Sequence, residues 1–209
     1  MSLRRHIIVA NPENSETPIR ALQSWVSPNR LFFVRNHFDV LEIDAGEWSL
    51  RVGGCLKREL ELDFARIQQL PTRSVFATME CAGNGRSFLE TPDHCVAWGA
   101  GAVGHAEWTE PALKSVLDQA GLTKDALEVV LTGTDSVAAA DHPETISFAR
   151  SLPLSKALHE DTLLATAMNG EPLEPAHGYP LRLIVPGWHE VASVKWLTRI
   201  QVSDKPFHG

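Results

Sequence analysis

The apolar residues of this chain come in short β-type runs broken by turn residues, and nothing else constrains its fold as strongly. SVFATME (74–80), LEVVLTG (127–133), LRLIVPG (181–187) and VKWLTRIQV (194–202) each read as strands. LFFVRNHFDVLEIDAGEWSLRVGG (31–54) has the same β-rich character and closes on a Gly-Gly turn. Helical spacing is rarer. ELDFARIQQL (61–70) sets Phe64, Ile67 and Leu70 at helical intervals ahead of Pro71. TEPALKSVLDQAGL (109–122) is the clearest helix, with Thr109 as its expected N-cap, Pro111 in its first turn and Gly121 just past its end. LSKALHEDTLLATAM (154–168) has helical stretches and ends in an Asn169-Gly170 turn. Strands and helices do not alternate as a parallel doubly wound sheet requires, and the sequence has no internal repeat. The expected fold is α+β: mixed sheets with short helices and long loops, in one domain over residues 1–209.

A chain of 209 residues buries a sizeable core. Its net charge of −7 argues against nucleic acid or an anionic membrane as the main partner. No apolar run approaches the ~20 residues of a membrane span. The N-terminal MSLRRHIIVANPENSETP turns polar too soon for a secretory signal. Three widely spaced cysteines make no disulfide framework, so the expectation is a soluble protein of a reducing, cytoplasmic compartment.

ATMECAGNGRS (77–87) holds the cysteine of most interest, because a strand breaks there into a glycine-rich turn with Arg86 five residues on. Three readings of Cys81 stand. It is a small buried hydrophobe, a phosphatase-type thiolate cradled by loop amides, or a thiolate ligand to a soft transition metal beside an anion pocket. The phosphatase loop normally places five residues between Cys and Arg, whereas four intervene here and Ser87 takes the arginine position. Zinc finds no support: His94, Cys95 and Cys55 form no C-x-x-C or H-E-x-x-H pattern. WGAGAVG (98–104) matches G-x-G-x-x-G, but HAEWTEP follows it and opens no helix, so a close-packed loop is expected in place of a dinucleotide site.

Basic residues recur in apolar surroundings. FFVRNHF (32–38) sets Arg35, Asn36 and His37 among phenylalanines, either as a solvated turn or as the wall of an anion site. HGYPLRLIVPGWHEVASVKWL (177–197) adds His177, Arg182, Ser193 and Lys195. An unpaired guanidinium in an apolar run is costly unless it meets an anion. Arg35, Arg86, Arg182 and Lys195, in an acidic protein, therefore suggest one focused site for a cofactor phosphate or a small oxyanion.

Taken together and in order, these stretches resemble the molybdenum-cofactor domain of the sulfite oxidase family. The matches are FFVRNHF, ECAGNGRS, WGAGAVGHAEW with the following PALKSVLDQAG, TGTD, SLPLSKAL, DTLLATAMNGEPLEPAHGYPLRLIVPG and SVKWLTRI, spanning about residues 30–202. The resemblance implies a mixed α+β fold and a molybdenum–molybdopterin cofactor whose metal is bound by the Cys81 thiolate beside a pyranopterin dithiolene. It implies that Asn36 and His37 lie against the pterin and its phosphate. Asp135, His177, Arg182 and the run Ser193-Val194-Lys195 would make further cofactor contacts. Arg35 and Arg86 would stand near the substrate oxyanion. The activity implied is oxygen-atom transfer on a small oxyanion such as sulfite, with electrons passed to a separate electron-transfer protein.

Three departures qualify the substrate. Phe148 stands where sulfite oxidases carry a tyrosine, and Tyr179 is the only tyrosine in the chain. Gly85 stands where animal and plant enzymes carry a second arginine. The sequence ends at DKPFHG, where many relatives continue into a dimerisation domain, so that domain is expected to be absent. Oligomeric state stays open. Reduction of an S- or N-oxide, a non-catalytic cofactor-binding module and a thiol phosphatase remain the alternatives.

Overall fold

The computed structural model describes residues 3–90, 95–138 and 145–208. Along the chain run β1 (His6–Val9), β2 (Asn14–Glu16), β3 (Ser49–Gly54), β4 (Leu60–Asp63), α1 (Phe64–Gln68), β5 (Thr72–Glu80), β6 (Val103–Pro111), α2 (Leu113–Ala120), β7 (Glu128–Ala138), β8 (Thr145–Pro153), α3 (Leu154–Ala157), β9 (Leu163–Ala165), β10 (Ala167–Met168), β11 (Glu171–Pro172), β12 (Arg182–Ile184) and β13 (Leu197–Ser203). The strands form a five-stranded sheet in the order β4-β3-β13-β7-β8, a four-stranded sheet β11-β10-β6-β5, and two pairs, β1-β2 and β12-β9. The fold is the expected α+β, mixed sheets with few and short helices. In the larger sheet β13 is central, parallel to β3 and antiparallel to β7.

Two apolar cores follow from the strand alternation. One packs Leu50, Val52, Leu131, Ile200 and Val202 of the five-stranded sheet against Leu113, Val116 and Leu117 of α2. Those α2 residues, with Ala120, recur at i, i+3, i+4 and i+7 and so share one face. The second core gathers Phe32, Phe33, Trp98, Trp108 and Leu163.

Several helices are shorter than their sequence patterns predict, because strand pairing takes their ends. Leu62 pairs with Leu50 in β4, so α1 starts only at Phe64, where the Asp63 side chain accepts from the Arg66 amide at 2.8 Å. Thr109 and Pro111 belong to β6, opposite Ser74 and Thr72, and neither caps α2. The helix cap is Ala112, without a side-chain bond, while Gly121 ends the helix with φ +72° and its amide on Leu117 O, as expected. In 154–168 only α3 is helical, since Leu163–Ala165 pairs with β12 and Ala167–Met168 with β6. Residues 32–48 form no regular strand beyond a bridge from Val34 to Ser15, so the β-rich reading of 31–54 holds only for Ser49–Gly54.

Interruptions of the ladder position the site. β7 and β8 lose register between Thr132 and Ser136, leaving Gly133–Asp135 opposite Phe148 without ladder pairing. β13 and β7 lose register between Leu197 and Arg199. Such bulges re-aim side chains out of the pleat. Gly133 admits no side chain here: a Cβ would stand 2.4 Å from Asp135 Oδ1 and 2.6 Å from Lys195 O.

Candidate active site

Asp135, from the β7 bulge, and Lys195, from just before β13, meet Arg35, Asn36, His37, Phe148, Glu190 and Ser193 around a narrow cleft. A smaller adjoining space is lined by Arg35, His177, Arg182, Glu190 and Lys195 together with Phe32, Phe33 and Met79. The polar cluster of FFVRNHF is therefore a wall of this cleft, with Asn36 buried and Arg35 half-buried, and only His37 is exposed as a solvated turn would have it.

That wall is held by the N-terminal β1–β2 pair. Asn14 Oδ1 accepts from the Asn36 amide at 3.1 Å and from Arg35 Nη1 at 3.2 Å, and Asn14 Nδ2 donates to Asn36 O at 3.2 Å. Asn36 Nδ2 donates to Glu13 O at 2.9 Å. Lys195 Nζ donates to Asn36 Oδ1 and, at 3.0 Å, to Ala176 O. Neither Asn14 nor Glu190 stands out in the sequence: Asn14 lies in a polar run and Glu190 in a mixed loop, neither in a motif, and only the fold brings them to the site.

Cys81 follows directly on β5. Its amide donates to Ala102 O at 3.0 Å, and the Asn84 amide closes the turn onto Cys81 O at 2.9 Å. The Gly83 amide faces the thiol, 3.5 Å from Sγ. Arg86 folds back over this turn, where a Cβ on Gly83 would come within 2.7 Å of its guanidinium, and its Nη1 donates to Val96 O at 3.3 Å. Arg35 stands within hydrogen-bonding reach of the same thiol. The loop through Gly99, Gly101 and Gly104 leads into a strand instead of a helix, as expected. It packs closely, since a Cβ on Gly101 would sit 2.3 Å from Thr17 O.

Burial dominates the electrostatics. It pushes the Cys81 thiol up; the Gly83 amide, Arg35 and Arg86 pull the other way, while Glu190 adds to the rise. A thiol held protonated is a poor nucleophile, which removes the support for the phosphatase reading. A soft metal takes its thiolate by displacing the proton as it binds. Burial lowers Lys195 to about 7 and Arg182 to about 10, with Glu190 opposing both. His37, although exposed, is lowered to about 4, first by desolvation against the cleft wall and then by the Arg35 charge. His177 falls to about 3 for the same first reason, with Arg182 next, so both imidazoles are neutral at pH 7. Asp135 is raised by burial to about 6, against the pull of Lys195.

The remaining expected residues have distinct places. Arg182 is buried on β12, with Nη1 on His177 O and Nη2 on Ser193 O, each at 3.0 Å, and its guanidinium 5.2 Å from the Trp108 ring centroid. His177 Nε2 lies 3.2 Å from Asn29 O. Ser193 Oγ accepts from the Val185 amide at 3.2 Å. Val194 points into the first core and presents only its backbone, whose carbonyl accepts from Leu183. Cys55, Cys81 and Cys95 are free thiols, and His94 lies outside the described residues. No cluster of metal-binding side chains occurs among the described residues, and no helix is long and apolar enough to cross a membrane.

Of the nine buried side-chain polar atoms without a partner among the described residues, Arg182 Nε and Asp135 Oδ1 belong to residues that line these spaces. Unpaired buried groups of this kind are expensive. One can donate to an anion and the other accept from an N–H, and Arg35, which lines the cleft, also acts on the soft Cys81 thiol. A pyranopterin with its phosphate and a thiophilic metal presents the complementary set, so the residues fit that group.

Comparison with known proteins agrees. Residues 37–209 match the model of the oxidoreductase molybdopterin binding domain. The chain is similar to the mitochondrial sulfite oxidase of Drosophila melanogaster, 40% identical over 93% of this chain and 34% of that protein. It is similar to the NADH nitrate reductase of Ulva prolifera, 33% identical over 93% of this chain and 23% of that protein. Among solved structures it superposes on the sulfane dehydrogenase SoxCD of Paracoccus pantotrophus with a TM-score of 0.83 and 28% identity, covering 97% of this chain and 51% of that one. The chain thus spans about a third of the length of the animal sulfite oxidase it matches.

Proposed function

This chain belongs to the family of oxidoreductase molybdopterin-binding domains that sulfite oxidases share, and on that premise we propose that it transfers an oxygen atom to a small oxyanion such as sulfite at a molybdenum ligated by Cys81. The observation that carries the proposal is the convergence of Arg35 and Arg86 on the half-buried Cys81 thiol, beside a cleft that already contains Lys195 and Asp135. When bound, the molybdenum–pyranopterin group supplies the oxygen exchange and the two-electron redox change. Arg35 and Arg86 draw the anion toward the thiol and fix its orientation. Arg182 and Lys195 would hold the cofactor phosphate, Asp135 would offer an acceptor to the pterin, and Asn36, His37, His177, Ser193 and the Val194 backbone would supply the remaining contacts. Neutral His37 contributes a hydrogen-bonding wall without adding charge. In the net reaction sulfite gains one oxygen from water and releases two protons and two electrons, which pass to a separate electron-transfer protein.

A second reading is favoured by one residue. Phe148 puts an apolar ring on the cleft where a hydroxyl is expected for sulfite, which suits reduction of an S- or N-oxide by the same domain. The cytoplasmic location expected from the cysteines gains no support from the relatives, of which the animal enzyme named here is mitochondrial.

Metal and pterin content test the proposal. The purified chain, from cells that make the cofactor, should carry molybdenum and oxidisable pterin near one each per chain. Absence of both overturns it and leaves a non-catalytic module.

A further inference from the structure

Glu190 is a carboxylate in a pocket built for anions. It borders both the main cleft and the adjoining space that holds Arg182. Its Oε1 lies 3.7 Å from Arg182 Nη2, and the two side chains are 11% and 3% exposed. At that distance the contact is an ion pair beyond hydrogen-bond length. Arg182 spends Nη1 and Nη2 on carbonyls of His177 and Ser193 and leaves Nε without a partner. The carboxylate thus sits among buried cations without saturating their donors. Its field also reaches Arg35 and Lys195, where it opposes the effect of burial.

We propose that Glu190 is a built-in counter-anion: its carboxylate offsets part of the positive charge of the Arg35, Arg182 and Lys195 cluster in the cofactor-free chain, and an incoming phosphate monoester must displace it. The proposal rests on the reading of this cleft as the place of the cofactor phosphate. A phosphate and a carboxylate are both anions, so they cannot share those cations without charge repulsion. The loop around Glu190 permits the exchange. Its carbonyl is fixed by the Ser193 amide at 2.8 Å, so the backbone stays while the side chain turns. Its neighbours Gly187, Trp188, His189, Val191 and Ala192, with Thr78 and Glu80, border an open groove, so a carboxylate turned out of the cleft would meet water.

The test uses the full chain purified from cells unable to make the cofactor. Thermal unfolding is followed against inorganic phosphate at fixed pH and ionic strength. Without phosphate, Glu190→Gln should unfold at a lower temperature than the native chain, because the cations lose their counter-charge. It should then need about tenfold less phosphate for half-maximal stabilisation, since the repulsion is gone. Glu190→Asp, which keeps the charge, should respond as the native chain does, and Lys195→Ala should lose the response. Equal phosphate midpoints for native and Glu190→Gln chains, with Lys195→Ala still blunted, overturn the counter-anion and leave the phosphate site standing. A response that Lys195→Ala leaves unchanged, or no response in any variant, overturns the site and the proposal with it. A glutamine variant unfolded even in phosphate also overturns it, because packing and not charge would then be the role of the side chain.

Discussion

The ring of His37 lies 4.9 Å from that of Phe148, with the two planes tilted by 33°, and the Arg150 guanidinium sits over Phe148 at 4.5 Å. A hydroxyl added to the Phe148 ring would enter a wall that already carries a neutral imidazole and a guanidinium. In the cofactor-loaded chain, Phe148→Tyr should raise kcat/KM for sulfite about tenfold, the worth of one added hydrogen bond of ~1.4 kcal/mol in the rate-limiting barrier. Steady-state kinetics decide it; an unchanged rate means the pocket is not arranged for sulfite.

Cys81→Ser replaces a soft donor by a hard one in a side chain that packs beside the second core without filling it. Oxygen-atom transfer should be lost while stability changes by less than about 1 kcal/mol. Turnover assays and urea unfolding of the same preparation separate the two effects. Retained turnover contradicts the metal-ligand assignment.

Anion binding by the cofactor-free chain should weaken as pH rises. Lys195, held to about 7 by burial, faces Glu190, Arg182, Asp135 and Arg35, and donates to Asn36. Asp135 loses its proton near 6 and Lys195 near 7, so each step removes positive charge from the cleft. Sulfate keeps its own charge throughout, and its affinity should fall about tenfold between pH 6 and 8. The stability of the unliganded chain runs the other way. The folded state binds the Lys195 proton less tightly than the unfolded chain does, so Lys195 contributes a gain in stability as pH rises from about 7 toward its ordinary value of 10.5. Sulfate titrations read by thermal shift at several pH values would give a flat profile if Lys195 were not part of the anion site.

Asn14→Ala removes the acceptor of the Asn36 amide and of Arg35 Nη1, and a donor to Asn36 O, in a buried setting. Leaving those groups unpaired should cost about 2–3 kcal/mol, measured by urea unfolding. A loss below about 0.5 kcal/mol would mean that water replaces the side chain and that β2 does not hold the wall.

The strands were legible where alternation was clean and uninterrupted, as in Thr72–Glu80 and Leu197–Ser203. Helix ends were misread where local pattern competed with pairing: Thr109 carries the signature of a cap, yet its partner Ser74 lies across the sheet, beyond any local pattern. Cys81 and the basic residues were legible because charge in an apolar run is conspicuous. Glu190 and Asn14 were not, since an acid in a mixed loop or an amide in a polar stretch gives no signal until the chain folds. Gly133 reads in the sequence as the end of a strand, but it is a necessity of the bulge that turns Asp135 inward.

The paired register breaks in β7–β8 and β13–β7 have a consequence for how such a domain diversifies. Asp135 and Phe148 lie in the unpaired stretch of one break, and Lys195 lies just before the strand that contains the other. Ladder bonds on either side are made by other residues, and they anchor the sheet whatever side chains the gap presents. Substitution at Phe148 can therefore alter which molecule the cleft accepts while the hydrogen-bonded frame stays intact. A scaffold of this design separates the residues that inheritance must keep from those it is free to vary.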